Sequence, residues 1–442
     1  MTQSDNGTHP ISLSGPARLS LFVLFLCYTA NQLCAAIISF LAVPLKAELY
    51  ISDLQFGVIT GPGFSFTYGI FAFLFAYFAD RGNRVNLLVG VLILWSIATF
   101  TCGLVTSFLQ LLAARIAVAI GEAGGTPTTL ALVSDSVPKA RLSSAFSLLL
   151  LASPLGFLIS AMAGSFFSGE FGWRATFMAC GALGIPIAIL MKWKVSDPRE
   201  AAASHAATSK TSFSPAQIFG GILTSVKDVA GRKSVFMILL AFAWCNYAGG
   251  VLPNWMPIFM NRYHGFTAEE AALYFGIAFV GGIVPGLLCG GFLTDRLARK
   301  NPMWTVTVPL LAIATSVPLL LTSFHVASAT LALWIFGFGV FISQLATGPI
   351  LGAFNAGLPS RVRAIGSAML VLGTSLLAGG LGNFSVGALS DLLAGSLGVG
   401  SLRIVLTIVI FTFASLACLC LLFSRRNLLD DLARVEDDYV QA

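Results

Sequence analysis

Continuous apolar stretches, each long enough to cross a lipid bilayer, follow one another along this chain and leave it few ways to fold. A helix needs roughly 20 apolar residues to traverse the hydrocarbon core. Twelve stretches meet that measure: 19–45, 55–79, 86–107, 110–135, 143–168, 173–194, 234–259, 270–294, 303–323, 329–353, 364–390 and 402–424. Barrel strands would alternate apolar and polar side chains over about ten residues, whereas these runs are apolar throughout. The expectation is an all-α membrane protein. Composition agrees: 57% of the 442 residues are hydrophobic and 10% are charged, against about 25% charged in a soluble domain. The 44 glycines suit helices that approach closely through small residues.

The first eighteen residues are polar, and the run from Leu19 is too long for a secretory signal and lacks a convincing cleavage site, so the first helix is expected to stay. All eight cysteines fall inside predicted spans, which suits small buried side chains rather than a disulfide framework or a metal site. Placing both termini in the cytoplasm puts 20 of the 25 basic residues inside and four outside (Lys46, Arg174, Arg262 and Arg403), with Arg115 within a span. That asymmetry predicts a multi-pass protein of the cell (inner) membrane with both termini cytoplasmic. The net charge of +6 then reflects topology, not nucleic-acid affinity.

Residues 199–217 form a small polar linker. Ile218, Phe219, Ile222, Leu223 and Val226 follow at helical spacing, as in an amphipathic segment on the inner leaflet. The expected organisation is a tail (1–18), a six-helix bundle (19–194), a linker (195–233), a second bundle (234–424) and a tail (425–442). The halves resemble each other. Asp80 and Arg81 recur as Asp295 and Arg296, LQFGVIT at Leu54 as LYFGIAF at Leu273, and PKARLSSA at Pro138 as PSRVRAIGSA at Pro359, at offsets of 215 to 221. Such spacing indicates a duplicated six-helix unit, as in secondary transporters whose site lies between the repeats.

Those paired segments resemble the G-x-L-a-D-R-x-G-r-k loop of the major facilitator superfamily. The second copy runs from Gly291 through Asp295, Arg296, Arg299 and Lys300; in the first, Ala76 and Asn83 replace the glycines. Arg115 to Ala123, RIAVAIGEA, is similar to the family's fourth-helix pattern R-x-x-x-G-x-G-e-A, with Ala119 at the first glycine. ADRGNRVNLL, GEAGGTPTT, SDSVPKARLSSAFS and FGWRATF together look like the Spinster-like branch, which includes exporters of sphingosine phosphate and lysophospholipids and proton-coupled bacterial relatives. The anion–cation symporter branch is the nearest competitor. One departure stands out. First helices of the branch read like N-x-L-D-R-Q, but here Cys34 and Ala35 hold the acidic and basic places after Asn31. Coupling by that pair does not carry over.

Two ionisable groups remain in the fourth span. Arg115 and Glu122 are two helical turns apart, about 10 Å along the axis, too far for a direct bridge within the helix. A charge near the bilayer centre costs at least about 2.5–3.5 kcal/mol. A carboxylate can neutralise, because burial favours its protonated form, while arginine stays charged. Glu122 is therefore the candidate proton carrier, and Arg115 the candidate to hold an anion or orient a carboxylate. Helices one, four, seven and ten line the cavity in the superfamily. On that resemblance Tyr28, Asn31 and Gln32 (with Ser39 on the same stripe), Asn246, Tyr247 and Gln344 are candidate substrate contacts. The Phe-, Leu- and Met-rich walls favour an amphipathic, lipid-like ligand.

The resemblance also implies a cytoplasmic gate in which the motif aspartate meets the start of helix eleven. Its members here would be Asp80, Arg81, Arg84, Arg361 and Arg363, with Asp135, Arg141, Asp295 and Arg296, and Lys139 beside them, in the other contacts. Pro154 in SPLG should break or kink the fifth span. An enzyme is not expected: no phosphate-binding G-x-x-x-x-G-K-[ST] loop and no G-x-S-x-G occurs, and His9, His205, His264 and His325 lack ligand spacing. The reading is a secondary transporter with alternating access, proton-coupled, without cofactor or metal, working as a monomer among membrane lipids on a small amphipathic substrate. The alternatives are a small organic-anion symporter, or an uncoupled facilitator or sensor, since the first-helix pair is lost.

Overall fold

The computed structural model describes residues 15–137, 142–197, 231–358, 369–370 and 373–440. Among them every regular element is helical. Ten continuous helical stretches are long and apolar enough to cross a membrane, and two of these are double length, Ala145–Lys194 and Ser375–Leu429. Fifty residues of helix would measure about 75 Å, more than twice a hydrocarbon core of about 30 Å. Each must turn back. The first does so at Gly172 (φ +81°) and the second at Gly398 (φ +54°), both in left-handed backbone that favours glycine. The ten stretches are thus twelve spans, six in each half.

The ends of the first half show which way its spans run. The Ser20 hydroxyl, at the start of the first span (Gly15–Phe40), donates to the Lys194 carbonyl at the end of the sixth, 3.3 Å away. At the opposite face Trp173 Nε1 donates to Glu48 at 2.6 Å, and Arg174 pairs with Glu48. The face holding residue 15 is called the terminal side below, and the other the far side. On the terminal side the Asp197 carboxylate accepts the Arg84 N–H at 2.8 Å and so caps the third span (Arg84–Cys102).

The duplication read from sequence has local structural counterparts. Ser52 with Gln55 and Thr267 with Glu270 form capping boxes 215 residues apart, opening the second and eighth spans. The fifth and eleventh spans each contain a π-helical turn, Ala163–Phe167 and Ser375–Gly382. The helix of the fifth span is broken at Leu151 and restarts as Ala152–Met162, with Pro154 in its first turn. Pro154 therefore starts a helical segment, where its missing N–H is tolerated. The amphipathic segment expected at Ile218–Val226 lies outside the described residues.

On the far side the halves touch closely. A Cβ at Gly57 in the second span would stand 2.6 Å from the Asn383 carbonyl oxygen in the eleventh, and one at Gly387 would strike the Asp53 carbonyl. Gly276 of the eighth span presses on Ala161 of the fifth in the same way. Phe157 meets Phe275 and Phe279 edge to face and tilted beside them. Ser39 donates to Asn254 Oδ1 at 2.6 Å, joining the first span to the seventh. Small residues let backbones approach and dispersion holds them, so this conformation is closed on its far side.

Candidate functional site

The fourth span (Phe108–Ser136) runs from the far side to the terminal side, and Glu122 stands at its midpoint. It is 1% exposed. Its Oε1 has no hydrogen-bond partner among the described residues. The geometry that buries it comes from the glycines around it. A Cβ at Gly121 would sit 2.7 Å from Trp95, and one at Gly125 would meet Trp95 and the Asn31 amide at 3.2 Å. Without those side chains the first, third and fourth spans close around the carboxyl. Cys34 and Cys102 also lie within its electrostatic reach. Asn31 Nδ2 and Trp95 Nε1, both buried, are likewise unpartnered among the described residues, and the Thr99 side chain lies beside the Cys34 thiol.

Arg115 does not open onto a ligand space in this conformation. Its Nη1 and Nη2 donate to the Cys34 and Ala35 carbonyls at 3.3 and 3.4 Å. The guanidinium lies 4.7 Å over the Phe64 ring, and the residue is 2% exposed. The side chain is held by the first and second spans, so the expectation that it binds a ligand anion meets a guanidinium already occupied by protein. The two carbonyls it holds belong to the residues that stand at the branch's acidic and basic places.

The other polar candidates separate into two groups. Gln32 Nε2 donates to Ser153 Oγ at 2.5 Å, tying the first span to the fifth. Tyr28 approaches the Thr126 side chain of the fourth span. Tyr247 is turned to the eleventh span, bonding Ser385 at 2.8 Å and stacking near Phe413, and does not face the cavity expected for it. Asn246 and Gln344 face a space within the second half, not one between the halves. They line a cavity of about 230 Å³ among the seventh, eighth, ninth, tenth and twelfth spans, with Phe279, Ser316, Ser343 and Thr347. Among the described residues no Lys, Arg, Asp or Glu lines it. The Asn246 amide donates to its own helix at Phe242, and Gln344 Oε1 accepts from Thr347.

Of the expected gate, Arg84 and Asp135 form an ion pair within the first half. Asp295 and Arg296 are exposed on the terminal side, and Asp295 forms no ion pair with a described residue. Arg141, Arg361, Arg363 and Lys139 lie outside the described residues, as do the side chains of Asp80 and Arg81.

Sequence reasoning missed a second charged cluster, on the far side. Asp53, 4% exposed, opens the second span. Arg262 of the seventh span grips its carboxylate with both terminal nitrogens, Nη1 to Oδ2 at 2.6 Å. Lys46 Nζ stands 2.7 Å from Oδ1, and Ser390 of the eleventh span donates to Oδ2 at 2.6 Å. Asp391 returns the contact by accepting the Asp53 and Leu54 N–H groups at 3.1 and 2.8 Å, so a side chain of one half caps a helix of the other. Burial lowers the Lys46 pKa from its ordinary value, against the pull of Asp53. The only signal in the sequence was an acidic residue beside the LQFG repeat; its partner Arg262, 209 residues later, reads simply as an outer basic residue.

Comparison with known proteins agrees with this architecture. The family model described as Major Facilitator Superfamily matches residues 24–374. An MFS-type efflux pump of Mycolicibacterium smegmatis is 31% identical over 410 residues, 92% of this chain and 92% of that one. A probable sphingolipid transporter, spinster homolog 3, of Arabidopsis thaliana is 26% identical over 289 residues, covering 59% of this chain and 54% of the other. Among solved structures, a bacterial homolog of the human lysosomal transporter Spinster, inward-facing and unoccupied, superposes with a TM-score of 0.83 at 24% identity, over 95% and 99% of the two chains.

Proposed function

This chain belongs to the major facilitator superfamily, and from that premise we propose a proton-coupled secondary transporter of the Spinster-like kind, moving a small amphipathic molecule by alternating access. The observation that carries the reading is the Glu122 carboxyl, buried at mid-span with an unpartnered oxygen. Ionised there, it would cost several kcal/mol; protonated, it is tolerated. A group in that position exchanges a proton when the surrounding spans part toward either face, and the exchange biases which face opens. Arg115, tied to the first span, orients that wall and supplies a fixed positive charge that keeps the proton exchangeable.

The substrate reading follows from the second half. A mostly apolar cavity without a formal charge suits the uncharged part of an amphipathic molecule, and the Asn246 and Gln344 amides suit a polar group at its edge. Positive-inside asymmetry supports a cytoplasmic terminal side in a cell membrane, and on that reading the far-side-closed state is inward-facing. Asp53, Arg262, Lys46, Ser390 and Asp391 then act as the outer lock.

The test is flux in liposomes. Purified protein is reconstituted with a pH difference and offered a lysophospholipid or, separately, small organic anions. The reading expects a pH difference to drive lysophospholipid accumulation and Glu122→Gln to abolish the drive. Accumulation that survives Glu122→Gln would refute coupling through this residue; flux of organic anions alone would favour a symporter.

A further inference from the structure

Glu122 is walled differently on its two sides. Toward the far side, the fourth span presents Arg115, whose guanidinium is closed off by the Cys34 and Ala35 carbonyls and by the Phe64 ring. A guanidinium stays protonated at any physiological pH and carbonyls and a phenyl ring cannot pass a proton, so Arg115 and its partners carry none to Glu122, and the far side beyond them is closed by the seam between the halves. Toward the terminal side the wall is made of hydroxyls. Thr126 follows Glu122 by one helical turn, about 6 Å. Tyr28 of the first span and Tyr68 of the second both approach the Thr126 side chain, and Tyr68 also lies within electrostatic reach of Glu122 and of Tyr28. All three residues are half-buried, whereas Glu122 is fully buried. Phe64 links the two walls, stacked on Tyr68 at 6.1 Å on one side and under Arg115 on the other.

We propose that Tyr28, Thr126 and Tyr68 are positioning residues that relay protons between Glu122 and the terminal-side compartment while the far side is closed. The inference rests on Glu122 as the proton carrier and adds the path by which it is reached. In the inward direction of the relay, a proton from water reaches the outermost hydroxyl oxygen, that hydroxyl passes its own proton to the next oxygen, and the last O–H proton goes to the unpartnered Glu122 oxygen. Each hydroxyl ends neutral, and one water-derived proton has become one carboxyl proton. The ionisable groups within electrostatic reach of Glu122 from the packed spans are Cys34, Tyr68, Cys102 and Arg115, with Tyr28 one step further out beside Thr126 and Tyr68. Tyr28, Tyr68 and Thr126 lie toward the terminal side, whereas Thr99, Cys34 and Cys102 lie toward the far-side ends of their spans, where the seam is closed.

Infrared difference spectroscopy of the reconstituted protein after a pH jump reads the step directly, through the carboxylic C=O band identified by its loss in Glu122→Gln. Tyr28→Phe, Tyr68→Phe and Thr126→Val keep the shapes and remove the hydroxyls. The relay expects the band in the Tyr28→Phe/Tyr68→Phe double variant to appear roughly tenfold or more slowly than in the parent, with the pH midpoint unmoved. A structural role for the tyrosines would instead shift the midpoint and the thermal midpoint together, and that result would overturn the relay. An unchanged rate in the double variant would overturn it while leaving Glu122 as carrier. A band that persists in Glu122→Gln would overturn the carrier reading itself.

Discussion

At the scale of single residues, what matters is whether a buried polar group already has its partners. Both terminal nitrogens of Arg115 have them, whereas its Nε and Glu122 Oε1 have none among the described residues. Removing the Arg115 side chain should therefore weaken the protein rather than ligand binding: Arg115→Ala is expected to lower the thermal midpoint of the purified protein, while any lysophospholipid-induced increase in that midpoint stays the same size. Loss of the increase alone would return Arg115 to the ligand site. Asp53 is the reverse case, a carboxylate with partners from both halves. Removing one member of such a buried pair typically costs about 3–5 kcal/mol, and here the cost falls on the far-side-closed state alone. Asp53→Asn should raise the labelling rate of a cysteine placed at Val386, buried at the far-side seam, by an impermeant maleimide at least about tenfold, a small part of that energy. An unchanged rate would mean that the cluster does not hold the seam shut.

At the scale of elements, backbone approach sets how tightly the seam closes. Gly57 and Gly387 let the second and eleventh spans touch, and a side chain at either would meet a carbonyl of the opposite half. Gly57→Val is expected to hold these spans apart on the far side, seen as a longer distance between spin labels there; an unchanged distance would show that the helices adjust. Gly172 is a different kind of glycine, needed for its φ of +81° at the hairpin between the fifth and sixth spans. Gly172→Ala should destabilise by about 1–2 kcal/mol, read as a lower thermal midpoint without a change in the seam distance.

The same contrast explains what the sequence disclosed. Apolar length gave the spans, because bilayer thickness acts on every span alike. The repeat was legible for a similar reason: Ser52 and Thr267 occupy one local job twice. Glu122 was legible because a carboxyl in an apolar run needs an explanation. The rotation of each helix about its axis was not, since it depends on which neighbour fits which glycine. Tyr247 therefore turned to Ser385, while Asn246 beside it faced the cavity. The Asp53–Arg262 pair joins residues 209 positions apart at span ends, where charge is ordinary and carries no warning.

For the whole molecule, the far-side seam and the Glu122 carboxyl have to be two ends of one equilibrium. If protonation biases that equilibrium, shape must follow pH through this one group, and Glu122→Gln, which mimics the protonated form, must remove the dependence. Spin-label distances measured across the far side and across the terminal side, in lipid and over a range of pH, test this most directly. The expected result is a reciprocal shift of the two distance distributions with pH in the parent protein, and in Glu122→Gln the low-pH distributions at every pH. Distributions that move with pH equally in both proteins would contradict the account.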